Sequence, residues 1–443
     1  MSDLDALNAS SVQDRLDGLR ALAARDVNGT AAPAESREVN CHVHTIYSFS
    51  PYSPAAAAYH ARAAGLAAVG IMDHDSLAGA AEMRQAGAII GIATTAGVEI
   101  RVSAAGTALE GRRINSPDSL GVLYMMIHGV PARSVPAVCE FLWPIQAARE
   151  LRERRMVEKL NALMPGYGLP QLDWERDVRA FSQADNGGTI TERHILRAVA
   201  AAIVEKAGSG LPLLAYLRDR VGIQPPHRVA ASLSDPSNGM LLFDLLGLLK
   251  SSFIEKVFIQ PDKAECIPVA RAVRFAEEVG GIPTYAYLGD ITDSPTGDKK
   301  AERFEDGYLE MLMAEARRLG FRAIAYMPPR NTLPQLLRVR KLCAEHRFME
   351  ISGVDINSPR QSFNCPELAL PDFSHLIGST WALIAHERLA DADPRYGLFH
   401  PDNPLGAMPL ERRIAEYAEV GKALDPFDVR SGPDHPRVRV WGA

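Results

Sequence analysis

Two histidines, one residue apart, are the first residues whose types and spacing suggest chemistry. His42 and His44 lie in the stretch NCHVHTIYSFSPYS, residues 40–53, at the end of an apolar segment. Because alternate residues of a strand point to the same side, we expect both imidazoles to leave one face. Paired imidazoles are common metal ligands, so the question is whether the rest of the chain supplies partners for them.

More histidines and carboxylates follow the next apolar segments of strand length. These residues are Asp73 and His74 in AAVGIMDHD, Glu99 in IATTAGVEIRVS and His128 in VLYMMIHGV. The active site of an α/β barrel lies at the carboxyl ends of its strands, so we expect four successive strand ends to meet at one rim. Divalent transition metals bind imidazole and carboxylate groups, and one carboxylate can serve two ions. The pattern therefore predicts a metal site with Glu99 as the bridge.

The elements that must position these residues alternate between strand and helix. From about Glu38, apolar runs alternate with alanine-rich helical patterns, which favours parallel strands joined by helical crossovers. About seven strand candidates recur, the last of them LIGSTWALIAHE, so we predict an α/β fold, a distorted seven-stranded (β/α) barrel with a helical insertion. The predicted parts are an N-terminal helix and linker (1–37), the first part of the barrel (38–130), the helical insertion (131–255), the second part of the barrel (256–395) and a C-terminal extension (396–443).

Composition and charge narrow the classes of function. Apolar residues make up 47% of the 443 residues, which is enough for a sizeable core. The net charge is −6 without a basic run, so we expect no nucleic-acid polymer as a partner. We find neither a membrane-spanning stretch nor a secretory signal, and therefore expect a cytoplasmic protein with no membrane partner. Five scattered cysteines indicate neither disulfides nor a cysteine zinc site, and a homo-oligomer is compatible with the sequence.

Three of these motifs together resemble a known family. NCHVHTIYSFSP, GLAAVGIMDHDSLAGA and GVEIRV are similar to the first three motifs of the PHP (polymerase and histidinol phosphatase) family. The resemblance is strongest over residues 40–130 and extends from 38 to about 390. It implies a distorted seven-stranded α/β barrel that binds up to three divalent metals and hydrolyses phosphate esters. It also implies the ligand set: His42 and His44 for a first metal, Glu99 as the bridge, His128 for a second metal and His74 for a third.

The sequence departs from the family pattern at four expected ligands. Groups that bind divalent metals poorly or not at all stand at these positions, namely Phe49, Tyr287, Thr380 and Ala382. We therefore expect one or two ions of zinc, manganese or iron instead of three.

Three residues that follow strand candidates could replace the missing ligands. Asp355 in GVDIN and Asp290 in AYLGD could reach the same rim, and the alternative for each is a helix cap or a loop aspartate. His386 is a weaker third candidate. Asp355 is the substitute that we predict as a metal ligand.

Arginines at two places could bind an anion. ITERHILRAVA resembles a stretch in the insertion of the family's small-molecule phosphatases, so Arg193 and His194 are predicted to face a phosphate. The alternative is a helix-surface arginine and a partly buried histidine. Ile-Asn-Ser-Pro also occurs twice, in RINSPDS and DINSPRQ. These are either two similar turns or two anion-facing loops, with Arg113 and Arg360 as the charges.

Two functions follow from these residues. The first is a metal-dependent phosphoesterase that hydrolyses a small phosphorylated metabolite or nucleotide through a metal-activated water. Arg193 and Arg360 would neutralise the phosphoryl oxygens, and His194 or Asp73 would protonate the leaving group. The second is a degenerate PHP barrel that binds a metal, phosphate or another anionic ligand without turnover.

Overall fold

Eight strands form one β-sheet in the computed structural model, which describes residues 3–25, 38–116, 118–291, 303–428 and 435–441. The strands are β1 (Val39–Val43), β2 (Ala68–His74), β3 (Ala93–Ser103), β4 (Val122–His128), β5 (Ile267–Pro268), β6 (Ile282–Ala286), β7 (Ala323–Tyr326) and β8 (Met349–Ser352). Their order is β1-β2-β3-β4-β6-β7-β8, with the short β5 paired to β3.

The sheet closes on itself beyond β8. Val43 forms a parallel bridge with Ile356, where the His44 N–H donates to the Ile356 carbonyl at 2.9 Å. In return, the Ile356 N–H donates to the His42 carbonyl at 3.2 Å. The prediction of a distorted seven-stranded α/β barrel is confirmed, and the closing contact lies directly beside the paired histidines.

The expectation of parallel strands throughout is wrong for β4. This strand runs antiparallel to both β3 and β6. The chain passes from β3 to β4 through residues 104–121, and the described residues of this segment contain no α-helix of the kind that usually forms a parallel crossover. Glu99 is also not at a strand end, because β3 continues to Ser103 and pairs Glu99 with Met126 of β4.

Fifteen α-helices are found in the described residues. They are α1 (Asp3–Ala6), α2 (Val12–Arg25), α3 (Pro54–Ala63), α4 (Ala80–Ile90), α5 (Val135–Leu163), α6 (Glu192–Ala207), α7 (Leu211–Tyr216), α8 (His227–Ser234), α9 (Leu241–Ser252), α10 (Val269–Glu278), α11 (Leu309–Leu319), α12 (Leu333–His346), α13 (His375–Ala392), α14 (Leu410–Ala423) and α15 (Pro436–Arg439). The linker predicted before residue 38 lies outside the described residues.

No single described helix is long and apolar enough to span a bilayer. A pair of segments, Glu192–Ala207 and Leu211–Val221, passes that test of length and composition only when taken together, and it is bent by 113°.

Two apolar cores lie side by side. The larger core fills the barrel and the space between the barrel and its surrounding helices, and the smaller one lies within residues 156–257, joined by Phe49 from the barrel. Helix α5 belongs to both cores, because Leu142 packs into the first and Met156 into the second. The helical insertion therefore has its own buried core and shares one long helix with the barrel.

A buried group of charged side chains, which we call the ionic cluster, joins the insertion to the barrel. It consists of Asp75, Arg101, Arg149, Arg152, Glu153, Glu192 and Glu265. Arg152 lies 3.0 Å from Glu192 and 2.6 Å from Glu265. Burial raises the pKa of Glu153 to about 8, so this carboxyl is mostly protonated at pH 7. Three arginines then face three carboxylates, and their charges balance.

Candidate metal centre

His42 and His44 leave β1 on the same face, as their spacing predicts. Their Nε2 atoms are 3.2 Å apart, and His44 Nε2 lies 3.1 Å from Oδ1 of Asp355. Two ligands of one ion, each about 2.1 Å from it and separated by about 90–110°, are roughly 3.0–3.4 Å apart. The three atoms therefore have nearly the spacing expected of groups that share an ion.

A second group forms where β2 and β3 pair. His74 is opposite Glu99 in the register, so both side chains leave the same face of the sheet. His74 Nδ1 lies 3.1 Å from Glu99 Oε2, yet this buried nitrogen has no hydrogen-bond partner among the described residues. The two atoms are close but not aligned for a hydrogen bond, so their geometry fits the binding of one cation by both atoms better than a hydrogen bond between them.

Both groups include His44. The first is His42, His44 and Asp355, and the second is His44, His74 and Glu99. Glu99 Oε2 is 3.8 Å from His42 Nε2 and 3.9 Å from His44 Nε2, so Glu99 borders the first group as well. Three imidazoles and two carboxylates are a donor set that fits a divalent transition metal.

The candidate ligands differ in how their surroundings shift their pKa values. Burial acts to lower the pKa of His44, but the adjacent Asp355 carboxylate outweighs burial and raises it. Burial raises the pKa of Glu99, with nearby Asp355 adding to the rise and His42 and His44 opposing it. Burial also acts on Asp355, but the adjacent His44 holds the pKa of that carboxyl well below its usual range. Burial lowers the pKa of both His42 and His74, which keeps these imidazoles neutral and able to donate a lone pair.

His128 closes β4 but does not join either group. Strand β4 is antiparallel to β6, which places His128 opposite Ile282 at the start of β6, and His128 belongs to neither ligand group found among the described residues. Burial, together with the nearby His42, lowers the pKa of His128 to about 3. Its buried Nε2 has no hydrogen-bond partner within the described part of the chain. The structure therefore brings His128 near the centre as a neutral imidazole outside the ligand groups.

Asp73 supports the loop after β1. Its carboxylate accepts hydrogen bonds at 2.6 Å from the Thr45 N–H, the Thr45 hydroxyl and the Ser48 hydroxyl. The residue is 0% exposed, and burial raises the pKa of its carboxyl. This geometry gives no support to the predicted role of Asp73 as a proton donor, because both oxygens are occupied and a substrate has no access to them.

The start of α6 brings one predicted residue toward the centre and uses the other in packing. Arg193 lies close enough to Asp355 for its charge to help lower the pKa of that carboxyl. His194 instead accepts a hydrogen bond at Nδ1 from the Thr191 N–H at 3.0 Å, and its ring packs edge-on against Phe49. Burial lowers the pKa of His194 to about 3. The interpretation as a buried structural histidine fits these contacts.

The two arginines of the repeated Ile-Asn-Ser-Pro segments contact protein groups. Arg360 donates to Asp244 of α9 at 3.0 and 2.7 Å, which ties the loop after β8 to the insertion. The guanidinium of Arg113 lies over the ring of Phe304. These contacts favour two structural turns over a pair of anion-facing loops.

Two residues that the sequence analysis did not assign orient Asp355. The Asn357 side chain donates to Asp355 Oδ1 at 2.7 Å, and the Gln361 side chain donates to the Asp355 carbonyl at 2.7 Å. Both residues belong to the segment DINSPRQ, so the repeated Ile-Asn-Ser-Pro motif did point to this segment. Only the closing bridge at Ile356 shows that the segment positions Asp355.

The positions of the missing family ligands are filled by packing and local bonds. Phe49 packs into the insertion core, the Tyr287 hydroxyl donates to Asp306 at 2.5 Å, and Thr380 and Ala382 are buried in α13. The prediction of a strand over LIGSTWALIAHE is wrong, because this segment is part of the 18-residue helix α13.

The other two substitute ligands also have local roles. Asp290 accepts a hydrogen bond from the Phe304 N–H at 2.6 Å, and His386 Nδ1 accepts one from the Leu398 N–H at 2.9 Å. Neither residue belongs to the two ligand groups found among the described residues.

Comparison with family models and with curated proteins finds no match. Among solved structures, the chain is similar to a "putative metal-dependent phosphoesterase" from Bifidobacterium adolescentis, with 21% identity, a TM-score of 0.49 and coverage of 76% of this chain and 92% of that one. It is also similar to an amidohydrolase from Chromobacterium violaceum, solved with bound sulfate and no metal, with 18% identity, a TM-score of 0.48 and coverage of 74% and 90%.

Proposed function

We propose that this chain is a metal-dependent phosphoesterase and a divergent member of the PHP family. Its substrate would be a small phosphorylated metabolite or nucleotide, and its location the cytoplasm. The observation that carries the proposal is the convergence of three imidazoles and two carboxylates at one end of the barrel: His42, His44, His74, Glu99 and Asp355. Four of these five residues lie in the motifs that resemble the family.

The proposed cofactor is a single divalent ion of zinc, manganese or iron. Both ligand groups require His44, and the Nε2 atom of that residue is the one that faces His42 and Asp355. One lone pair binds one ion, so the two groups describe alternative or combined parts of one centre. A bound divalent ion would supply polarisation of a phosphoryl oxygen and a water of lowered pKa.

Arg193 is the proposed contact for the phosphate. It lies at the start of α6 with its charge near Asp355, so a phosphoryl group at the metal would be close to a guanidinium. Charge-assisted bonds from arginine to phosphate are short and strong, and guanidinium geometry suits two parallel contacts. Arg360 is a weaker candidate because Asp244 already binds it.

A barrel that binds without catalysis is the second candidate. The observation in its favour is that both predicted proton donors are engaged: Asp73 by Thr45 and Ser48, and His194 by the backbone of Thr191. Hydrolysis would then rely on a leaving group that needs no protein acid, or on a water for the proton.

Metal content together with turnover tests the proposal. The protein is purified without added metal, its metals are measured by elemental analysis, and a panel of phosphomonoesters is assayed with zinc, manganese and iron. We expect about one equivalent of metal and turnover that is lost in His42→Ala and kept in His227→Ala, an exposed histidine of α8. Metal binding without turnover under any of these ions would favour the second candidate. A parent that binds no metal would refute the phosphoesterase and leave only a barrel that binds an anionic ligand.

Phosphate affinity tests the role of Arg193. Arg193→Ala should keep the metal content and weaken phosphate binding by roughly one to two orders of magnitude, since a charge-assisted contact is lost. Arg155→Ala, which removes an exposed arginine of α5, is the matched control and should bind phosphate like the parent. Equal phosphate affinity in all three proteins would show that Arg193 does not bind the anion.

A further inference from the structure

We infer that Asp73 and Ser48 are positioning residues that fix the tautomer and ring orientation of the proposed metal ligand His44. The inference rests on the proposed metal centre and adds to it a chain of hydrogen bonds that runs from the His44 ring through the Ser48 hydroxyl to the Asp73 carboxylate. Its elements are the end of β1, the loop after β1 and the end of β2.

The direction of the chain follows from proton counting. The Ser48 hydroxyl donates its only proton to Asp73 Oδ1 at 2.6 Å. The same oxygen lies 3.4 Å from His44 Nδ1, and it can only accept there, because its proton is already used. His44 Nδ1 must therefore carry a proton if it bonds to Ser48, and in the neutral ring the lone pair is then on Nε2, on the side of His42 and Asp355.

Further contacts fix the Asp73 end of this chain of hydrogen bonds. Asp73 is 0% exposed, and the Thr45 N–H and hydroxyl donate to its Oδ1 and Oδ2 at 2.6 Å each. A metal-binding imidazole generally donates its other N–H to an oriented acceptor, which fixes both tautomer and ring direction. In this protein the acceptor is the Ser48 hydroxyl, which in turn donates to the buried Asp73 carboxylate.

A competing interpretation is that Asp73 only braces the loop. Thr45 provides the matched comparison, because its hydroxyl donates to Asp73 at the same 2.6 Å and is equally buried, yet no hydrogen bond connects that hydroxyl to His44. Ser48→Ala and Thr45→Val each remove one hydroxyl bond to Asp73, and only Ser48→Ala also removes the contact with the His44 ring.

The first test compares metal dissociation constants of the parent and the two variants, with zinc as the probe and circular dichroism as the check on folding. Ser48→Ala should weaken zinc binding by roughly 10–100-fold, whereas Thr45→Val should stay within about threefold of the parent. Equal losses of zinc affinity in the two variants would mean that Asp73 only stabilises the loop, and would overturn the inference. A parent that binds no zinc, manganese or iron would instead refute the proposed function on which it rests.

The second test needs no variant and reads the tautomer directly. In the folded parent, labelled with ¹⁵N-histidine and loaded with ¹¹³Cd, we expect cadmium–nitrogen coupling at His44 Nε2 and a slowly exchanging proton on His44 Nδ1. Ser48→Ala, which removes the acceptor at His44 Nδ1, should abolish that protected proton. Coupling at His44 Nδ1 in the parent, or a parent Nδ1 proton that exchanges freely, would overturn the inference even if every variant failed to fold.

Discussion

At the scale of single residues, the candidate ligands are not equivalent. His44 belongs to both ligand groups and His74 to one, so His44→Ala should abolish tight metal binding, whereas His74→Ala should leave a weaker site formed by His42, His44 and Asp355. Elemental analysis after dialysis measures the difference, with His227→Ala as the control for an exposed histidine. Equal metal loss in His44→Ala and His74→Ala would mean that the second group is as essential as the first.

Stability should depend on pH through Glu153. Burial raises the pKa of this carboxyl to about 8, with Glu192 adding to the rise, while in the unfolded chain it should titrate near 4.5. Between these values the folded state holds a proton that the unfolded state has lost, so the contribution is full below about pH 4.5 and is lost as pH rises through about 8. Glu153→Gln keeps the neutral form and should stabilise the protein at pH 8 by about 1–3 kcal/mol.

Urea denaturation at pH 6, 7 and 8 measures this effect. Glu158→Gln, at an exposed position of the same helix, should leave the pH dependence of the parent unchanged. A flatter pH profile in Glu158→Gln than in Glu153→Gln would assign the titration to another group.

Residue spacing predicted part of the centre and not its surroundings. His42 and His44 follow from strand alternation, and His74 and Glu99 follow from their places along the next two apolar segments. Asp355 could only be suggested, since the loop that carries it reaches the centre through the closing bridge at Ile356. The contacts of Asp73 and His194 lie in loops and caps, where side-chain bonds depend on tertiary structure instead of periodicity.

At the scale of elements, the sequence misled where an apolar run has no clear period. LIGSTWALIAHE is apolar over enough residues for a strand, but it lies within α13, which is buried on several sides and so lacks a polar stripe. The direction of β4 could also not be predicted from the sequence, because side chains alternate in the same way in parallel and antiparallel strands. The alternation of strand and helix was sufficient for the barrel, since short crossovers leave few other topologies.

Helix α5 holds the end of β2 through two side chains. Arg149 contacts the Asp75 carboxylate, and Gln146 donates to the Asp75 carbonyl at 2.8 Å. Asp75 has a φ of 48°, a left-handed conformation that costs free energy in a non-glycine residue. The insertion thus stabilises a strained turn that directly follows the candidate ligand His74.

Removing the Arg149 charge should therefore be costly. Arg149→Met leaves Asp75, Glu192 and Glu265 with one cation fewer in a buried setting, and we expect a loss of about 3–5 kcal/mol in the free energy of unfolding. Chemical denaturation at pH 7 gives the value, and Arg155→Met at an exposed position of α5 serves as the control. A loss below about 1 kcal/mol, as is usual for exposed ion pairs, would mean that water reaches the cluster.

At the scale of the whole molecule, the two apolar cores meet through polar contacts. The ionic cluster and the pair of Arg360 with Asp244 link the insertion to the barrel, and α5 and Phe49 are the apolar connections. Cores joined in this way can open locally without unfolding together, because regional stability follows regional burial. A metal that binds only the folded centre stabilises the parts that form that centre.

Hydrogen exchange with and without zinc should show how far this stabilisation spreads. We expect slower exchange at the ends of β1 and β2, around Asp355 and at the start of α6, since Arg193 lies near Asp355. Helices α7 and α8 pack into the insertion core and contribute no residue to the ligand groups, so they should exchange at the same rate in both states. Protection at β1 and β2 without any change in α6 would show that the insertion does not respond to the metal, and the role proposed for Arg193 would then lose its structural basis.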